Sequence, residues 1–339
     1  MDTADFDYEL PAGRIAQHPL AERDAARLLV DEGPRLAPSH RIVRDLPDLL
    51  EPGDLMVVNT TRVLPARLPL RKSTGGAAEV LLLERVEGRT WEALVRPSRK
   101  LPDGTELRPA DGGDDLVVVV GADLGEGRRH VEVVVEGDEL DVLERHGQMP
   151  LPPYITETLG DPERYQTVFS DRPESAAAPT AGLHLTPDVL ARCEEKGIGR
   201  ADVELVVGLG TFRPIVTDAV EDHVMHSERY RVPEATLAAC EQVHADGGRV
   251  VAIGTTAVRA LESAAATRAL EGRTDLFITP GYRFRLVDRL MTNFHLPRSS
   301  LLVMIEAFVG PRWRDLYAAA LAEDYRFLSF GDAMLLSRH

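Results

Sequence analysis

The strongest constraint on the fold is a change in the apolar pattern between Arg62 and Met149. Within this stretch, short alternating or Val-rich runs are separated by Gly and Asp, and no helical pattern interrupts them before Glu139–His146. Several short strands at turn-punctuated spacing predict a small β-barrel or sandwich. We therefore expect this stretch to form a module of its own.

Outside that stretch, strand and helix patterns alternate, which favours an α/β sheet domain. Arg249–Ile253 predicts a strand that turns at Gly254–Thr256 into a helix over Ala257–Leu270. Leu276–Ile278 and Tyr282–Val287 predict further strands. The chain thus combines an α/β part with an all-β part.

Length and composition limit the classes of protein to which the chain can belong. The 339 residues suggest two domains at roughly 100–200 residues each. No apolar run approaches the roughly 18 residues of a membrane span, and the acidic first residues are unlike a secretory signal. Two cysteines without CxxC spacing form no disulfide framework or zinc motif. We expect a cytoplasmic protein with no membrane partner.

The net charge of −16 still allows nucleic-acid binding through a local basic patch.

A run of small residues, Ala176–Thr186, leads into a predicted helix. Small residues such as Gly182 let the backbone approach a ligand closely, and Thr180 and His184 supply donors at a helix entrance suited to an anion. A lone histidine is more often a structural hydrogen-bonding group than a proton carrier, but the run of small residues around this one favours a functional role equally. Both roles stay open for His184.

Two further segments carry polar candidates. Gly208–Pro214 lacks the third glycine and the following helix of a dinucleotide loop, so its residues are candidates for substrate binding only. The cluster of His223, His226 and Glu228 has metal-ligand types without an HExxH spacing. We therefore expect no metal site there and favour acid–base or hydrogen-bonding roles.

The strand–turn–helix unit at Gly254–Thr256 places two hydroxyls and free amide groups at a helix N-terminus, where a carboxylate or phosphate would fit. Ordinary N-capping by Thr255 or Thr256 is the alternative. Tyr282 and its neighbours suit base stacking beside charged contacts, although core aromatics are the commoner explanation.

The chain also resembles a known family. The motifs that carry the resemblance are Ile15–Pro19, Arg62–Arg67, Leu94–Lys100, Met149–Ile155, Ala178–His184, Gly208–Pro214, His226–Glu228, Gly254–Thr256, Pro280–Phe284, Thr292–Pro297 and Tyr325–Asp332. Taken together, they resemble the S-adenosylmethionine:tRNA ribosyltransferase-isomerase family of queuosine biosynthesis. They occur in family order from the first residues to the last.

The resemblance implies a large α/β sheet domain, residues 1–61 and 152–339, with an inserted all-β barrel domain, residues 62–151. It implies transfer and isomerisation of the ribosyl group of S-adenosylmethionine onto 7-aminomethyl-7-deazaguanine at the tRNA wobble position. The products would be epoxyqueuosine-tRNA, adenine and methionine. S-adenosylmethionine is then a substrate, no cofactor is required, and a monomer is expected.

The resemblance and the motifs together assign site residues. His184 is the leading proton carrier, with His226, Glu228 and His295 as alternates. The substrate-binding candidates are Thr180, Gly182, Gly210, Thr211, Arg213, Thr255, Thr256, Tyr282 and Asn293. The tRNA-binding candidates are Arg62, Arg67, Arg96, Arg99 and Lys100.

Three positions depart from the usual family pattern: Thr60, Leu185 and Val206. Loss of a histidine at Val206 could change the acceptor, so a diverged enzyme that uses S-adenosylmethionine on a small molecule, without tRNA, is the alternative. A non-catalytic tRNA-binding module is disfavoured, because phosphate binding alone needs neither the histidine nor the Gly-Thr-Thr motif.

Overall fold

A computed structural model describes residues 1–208 and 214–338. The chain divides into two compact units. The first comprises Met1–Thr61, Pro153–Asp171 and Ala178–His339, and the second comprises Arg62–Pro152 and Arg172–Ala177. The chain therefore leaves the first unit and returns to it.

The strands are, in chain order, β1 (Arg27–Val30), β2 (Ser39–Ile42), β3 (Leu55–Asn59), β4 (Thr61–Val63), β5 (Arg67–Lys72), β6 (Ala77–Glu87), β7 (Thr90–Arg96), β8 (Glu106–Pro109), β9 (Leu116–Gly125), β10 (Arg128–Val135), β11 (Arg172–Ser175), β12 (Gly199–Leu205), β13 (Glu228–Arg231), β14 (Val250–Ile253), β15 (Glu271–Thr274), β16 (Arg289–Asn293) and β17 (Ala333–Ser337). Strands β4 and β11 pair with each other in a short ladder.

The α-helices are α1 (Leu46–Leu49), α2 (Glu139–His146), α3 (Pro187–Glu195), α4 (Glu234–Ala245), α5 (Thr255–Thr267), α6 (Ser300–Val309) and α7 (Trp313–Ala322). Short 3₁₀ helices span Thr3–Phe6, Ala12–Arg14, Arg23–Ala25, Val43–Asp45, Ser98–Lys100, Pro162–Tyr165, Thr180–His184, Val220–Asp222 and Gly310–Arg312. None of the helices in the described residues is long and apolar enough to cross a membrane.

Within its described residues, the first unit contains a nine-stranded sheet in the order β15-β13-β12-β3-β14-β16-β17-β1-β2. Strands β12, β3, β14 and β16 are parallel, and Val57 of β3 pairs with Ala201 on one side and Ala252 on the other. Every residue of β3 and β14 is buried, as expected for central parallel strands covered on both faces. Because β12 and β14 lie on opposite sides of β3, the strand order reverses there. Open α/β sheets bind ligands outside the carboxyl ends of strands at such a point.

The second unit contains a closed barrel in the order β10-β7-β6-β5-β8-β9, in which β9 pairs with β10. Alternate residues are buried: Leu68 and Leu70 on β5 and Val131 and Val133 on β10 are each at most 1% exposed. Aliphatic side chains at period two fill a small barrel in this way. The predicted fold class, a large α/β sheet domain with an inserted all-β barrel domain, is confirmed.

The segment between β15 and β16 differs from its prediction. Neither Leu276–Ile278 nor Tyr282–Val287 forms a strand. The backbone N–H groups of residues 285–287 donate to the carboxylate of Glu262, on α5, at 2.8–3.1 Å. A buried side chain therefore satisfies the donors that a partner strand would otherwise pair, and the apolar residues are buried as a loop.

Candidate active site

A cavity of about 610 Å³ lies at the carboxyl ends of strands β14 and β16. Gly254–Thr256, which follow β14, and Thr292–Leu296, at the end of β16, line it. Tyr154, Thr180 and Ser329 add polar groups to the walls. These groups make this end of the sheet the candidate small-molecule site.

Helix α5 begins at this cavity. Its N-cap is Gly254, whose φ of +91° and ψ of 154° belong to a region that glycine alone populates readily. Thr255 and Thr256 therefore lie in the first turn, and neither caps the helix, so ordinary N-capping does not explain them. Thr256 is 8% exposed, and its Oγ1 has no hydrogen-bond partner among the described residues. The wall of the cavity thus contains a buried, unpaired hydroxyl beside the first N–H groups of a helix, a setting that suits an anion.

Asn293 connects the cavity to His184. Its Nδ2 lies 3.0 Å from both the Leu328 carbonyl oxygen and Nε2 of His184, and the Thr180 hydroxyl donates to its Oδ1 at 3.4 Å. A carbonyl oxygen only accepts, so the amide nitrogen must face Leu328, and its second proton points to His184. Nε2 of His184 is therefore the acceptor, and the neutral ring carries its own proton on Nδ1.

His184 is 5% exposed and does not line the large cavity. Burial, followed by the charges of Arg326 and Arg23, lowers its pKa to about 4. The ring is neutral near pH 7, and its Nε2 lone pair is occupied by Asn293. As the structure stands, His184 orients Asn293, whereas direct proton transfer to a ligand of the large cavity would require that hydrogen bond to break.

His295 reaches the large cavity directly. Its Nε2 lies 2.9 Å from the Thr292 hydroxyl, its backbone N–H donates to the Tyr317 hydroxyl at 2.9 Å, and its carbonyl accepts from Tyr8. Burial lowers its pKa to about 3, so the ring is neutral near pH 7. Among the described lining residues, His295 and Tyr154 are the titratable groups. The geometry therefore favours His295 for proton transfer.

Glu228 and His226 do not line this cavity. Glu228 is 4% exposed; it forms a buried ion pair with Arg259 of α5 and accepts from the Gly208 N–H at 3.0 Å. His226 is exposed in the loop that precedes β13. The structure thus separates these two candidates, one in the core and one on the surface.

Other predicted substrate-binding residues also lie elsewhere. A Cβ at Gly182 would lie 2.7 Å from Cζ of Phe169, so glycine there permits close packing. The Tyr282 hydroxyl donates to Glu262 at 3.2 Å, and its ring packs edge-on against Phe284 at 5.1 Å. Gly210, Thr211 and Arg213 lie outside the described residues.

The predicted tRNA-binding residues all lie in the second unit. Arg96, Arg99 and Lys100 are exposed at the end of β7 and in the turn after it, and they form no ion pair within the described chain. Arg62 is half-buried, and Arg67 lies 3.8 Å from Glu79. Four other arginines of this unit are paired with carboxylates: Arg85 with Glu139, Arg128 with Glu92, Arg129 with Asp103 and Arg145 with Asp115. Positive charge without an ion pair among the described residues is therefore found at residues 96–100 and also at Arg71, Lys72 and Arg89.

Sequence reasoning missed Tyr154 and Ser329. Their hydroxyls lie 2.7 Å apart, and both residues line the cavity, although 175 positions separate them in the chain. Each lies within a motif of the family resemblance, Met149–Ile155 and Tyr325–Asp332. Their place in these motifs was the signal that could have identified them. Sequence spacing alone does not indicate that two such distant segments meet in the fold.

An α/β sheet with an inserted barrel, and with a cavity at the carboxyl ends of its parallel strands that holds a few polar side chains, defines a two-unit α/β protein with an enzyme-like site. The protein family described as Queuosine biosynthesis protein matches residues 3–336, and this chain belongs to it. The predicted family resemblance is confirmed.

Individual relatives cover the whole chain. The S-adenosylmethionine:tRNA ribosyltransferase-isomerase of Moorella thermoacetica is 52% identical over 345 residues, 99% of this chain and 100% of its own. The protein of that name from Azoarcus sp. is 51% identical over 343 residues, 99% of this chain and 97% of its own. The crystal structure of S-adenosylmethionine tRNA ribosyltransferase from Thermotoga maritima is 37% identical, with a TM-score of 0.56, and the match covers 98% of this chain and 99% of that one.

Proposed function

We propose that this chain is an S-adenosylmethionine:tRNA ribosyltransferase-isomerase acting on tRNA with 7-aminomethyl-7-deazaguanine at the wobble position. The observation that carries the proposal is the cavity of about 610 Å³ at the sheet edge, with the unpaired Thr256 hydroxyl at the start of α5 and His295 in its wall. Full-length similarity to relatives of that name supports the same reaction.

The reaction needs proton transfer and anchoring rather than a cofactor. The sulfonium of S-adenosylmethionine acidifies the adjacent 5′ carbon, so a base can remove a proton there and drive loss of adenine from the sugar. The amine of the deazaguanine then adds to the unsaturated sugar, and epoxide closure expels methionine. No methyl group is transferred, and the products are epoxyqueuosine-tRNA, adenine and methionine.

The described cavity residues fit these tasks. The N-terminus of α5, with Thr255 and Thr256, holds the methionine carboxylate. His295, neutral and in contact with the cavity, accepts the proton, a role worth roughly 10²–10⁴-fold in rate for a general base. The Thr180 hydroxyl fixes Oδ1 of Asn293 and His184 fixes its Nδ2, so Asn293 is a preorganised polar group for the substrate.

None of the three departures from the family pattern, Thr60, Leu185 and Val206, belongs to the cavity lining. Leu185 is completely buried in the core cluster with Val189, so its replacement of an aromatic residue is a change of packing. Val206 is 7% exposed and does not line the cavity, whereas Val207 does. These positions support retention of the tRNA acceptor over a small-molecule acceptor.

The test is incubation with S-adenosylmethionine and deazaguanine-modified tRNA, followed by mass spectrometry of nucleosides and small products. We expect epoxyqueuosine with equimolar adenine and methionine. Formation of S-adenosylhomocysteine would show a methyltransferase instead. Adenine release that requires a small-molecule amine and ignores tRNA would establish the alternative acceptor.

Location, assembly and domain boundaries complete the proposal. The enzyme acts in the cytoplasm as a monomer, with residues 62–151 as the inserted domain and residues 1–61 and 152–339 as the catalytic domain. Sedimentation equilibrium tests the monomer, and limited proteolysis tests the boundaries. Cleavage concentrated inside either domain, with none near the boundaries, would contradict the division.

A further inference from the structure

A second cavity, of about 270 Å³, adjoins the first and is lined by cations. Arg23, Arg164 and Arg326 contribute to its walls together with His184, and Ser329 lines both cavities. The described lining residues include no carboxylate. This space therefore offers positive charge and hydrogen-bond donors in excess of acceptors.

Backbone carbonyls hold two of these guanidinium groups. Arg23 and Arg164 donate at 2.5–3.2 Å to the carbonyl oxygens of Glu163, Gln166 and Leu183, and of Leu20 and Ala21, respectively. Neither arginine forms an ion pair within residues 1–208 and 214–338, and Nε of Arg164 is buried without a partner there. Carbonyl oxygens orient a guanidinium without neutralising it, so both charges remain available to an anion.

Arg326 and His184 complete the set of donors. Arg326 lies 3.9 Å from Asp332, a buried carboxylate whose oxygens also accept from the backbone N–H groups of Arg27 and Arg326. His184 carries its proton on Nδ1, as its contact with Asn293 requires, and that N–H has no hydrogen-bond partner among the described residues. A ligand in this cavity would thus meet three cations and a neutral N–H donor.

The cations lie close enough to influence one another. Burial and then the charge of Arg164 lower the pKa of Arg23, and Arg326 and Arg23 contribute to the low pKa of His184. The nearby carboxylates of Asp161 and Glu163 act in the opposite direction on Arg23, but neither residue lines the cavity. An anion among these groups would relieve the repulsion.

We propose that this second cavity binds a phosphate group and that, in the proposed function, the group is a phosphodiester of the tRNA beside the modified nucleotide. Donors converge from four separate chain segments, which suits a tetrahedral anion with oxygens on all sides better than a planar carboxylate. S-adenosylmethionine has no phosphate, whereas the tRNA does. Because Ser329 borders both cavities, a nucleotide in the larger one would carry its backbone phosphate to the smaller.

The test compares Arg326→Gln with Arg338→Gln. Both arginines belong to the first unit, their side chains are 31% and 38% exposed, and each lies near an aspartate, but Arg338 lines neither cavity. Affinity for an anticodon stem-loop that carries the deazaguanine is measured by fluorescence anisotropy, without S-adenosylmethionine and at fixed ionic strength. Inorganic phosphate is then titrated in place of chloride.

We expect Arg326→Gln to weaken RNA binding about tenfold, as for a lost charged contact to phosphate, and Arg338→Gln to leave it unchanged. Phosphate should compete with RNA on the wild type and on Arg338→Gln, and much less on Arg326→Gln. Arg326→Lys keeps the charge near Asp332 and should lose less affinity than Arg326→Gln. If Arg326→Gln does not fold, Arg326→Lys is compared with the wild type in its place. Unchanged RNA affinity in Arg326→Gln, or equal competition on all variants, would overturn the proposal.

Three further outcomes distinguish free phosphate from a tRNA phosphodiester, and failure of this inference from failure of the proposed function. If phosphate raises the melting temperature of the wild type but not of Arg326→Gln, while their RNA affinities agree, the cavity binds free phosphate and the tRNA assignment is wrong. If the wild type forms epoxyqueuosine and Arg326→Gln binds RNA normally, this inference fails and the proposed function stands. If the wild type forms no product yet phosphate competes as expected, the function fails and the anion site stands.

Discussion

Nδ2 of Asn293 donates a hydrogen bond to Nε2 of His184 at 3.0 Å, so the histidine is an acceptor within the core and not a proton donor to the large cavity. The same amide nitrogen is fixed by the Leu328 carbonyl, which removes the alternative orientation of Asn293. One hydrogen bond thereby determines the tautomer of a residue that the sequence favours as the proton carrier.

The first prediction concerns this tautomer. Nitrogen-15 NMR of the imidazole should show His184 neutral with its proton on Nδ1, and titrating near pH 4. Asn293→Asp replaces the donor by a carboxylate acceptor, which should move the proton to Nε2 and raise the pKa of His184. The signal is assigned from its loss in His184→Gln. An Nε2–H tautomer in the wild type would contradict the assignment.

The second prediction concerns acid stability. The folded-state pKa values of about 4 for His184 and about 3 for His295 lie below the ordinary value of 6.5, so the unfolded chain binds more protons as the pH falls below 6.5. Each histidine therefore lowers the free energy of unfolding by about 1.4 kcal/mol per pH unit once the unfolded form is protonated. Urea denaturation from pH 7 to 4.5 measures this slope. His295→Gln should reduce the slope by the contribution of one histidine. Equal slopes in the wild type and His295→Gln would refute the prediction.

The sequence predicts those parts of the fold that depend on local pattern. The barrel follows from period-two alternation, and α5 from a strand that meets a glycine turn. The helix ends at Thr267, three residues before its predicted end, because Arg268 adopts a left-handed conformation. The loop after β15 could not be predicted, since its N–H groups are satisfied by Glu262 from another element.

The candidate site shows the same limit. Thr255 and Thr256 are recognisable because helix start and anion preference are local properties. The contact between Asn293 and His184 joins residues 109 positions apart, and the ion pair between Glu228 and Arg259 depends on how α5 packs. Residue type alone does not distinguish a histidine or glutamate in a cavity wall from one in the core. Its burial and its hydrogen-bond partners, which only the structure provides, decide between the two roles.

The third prediction concerns the unpaired hydroxyl of Thr256. Thr256→Val removes a buried polar group that has no described partner, so the free energy of unfolding should stay the same or rise by about 1 kcal/mol. Affinity for S-adenosylmethionine should fall about tenfold or more, because the hydroxyl would bind a charged carboxylate. Thr236→Val is the matched control: its buried hydroxyl donates to the Asp202 carbonyl at 2.8 Å, so it should lose stability and keep ligand affinity. Isothermal titration and urea denaturation measure both quantities, and unchanged affinity in Thr256→Val would exclude the anchoring role.

The fourth prediction concerns the ion pair between Glu228 and Arg259. Glu228→Ala leaves the buried guanidinium uncompensated and should lower the free energy of unfolding by about 3–5 kcal/mol. Glu228→Gln with Arg259→Met should recover much of this loss, and its folded fraction should keep the wild-type kcat. Thermal unfolding and steady-state kinetics are the measurements. A stable Glu228→Gln variant that loses kcat a hundredfold would instead make Glu228 a catalytic group.

The fifth prediction concerns the exposed cations of the second unit. Arg99 and Lys100 form no ion pair within the described chain, whereas Arg108 and Arg128 lie 3.9 and 3.1 Å from Asp114 and Glu92. Reversal of Arg99 and Lys100 to Glu should weaken tRNA binding and flatten its salt dependence, because fewer counterions are released on binding.

The charge-matched control reverses Arg108 and Arg128 to Glu. It changes the net charge of the same unit equally, so a long-range effect of charge would act alike on both double variants. Affinity for tRNA is measured across a salt series for both and for the wild type, and affinity for S-adenosylmethionine should be unchanged throughout. Equal loss in the two variants would assign the effect to overall charge, and salt-insensitive binding by the wild type would remove phosphate contacts as the basis of tRNA recognition.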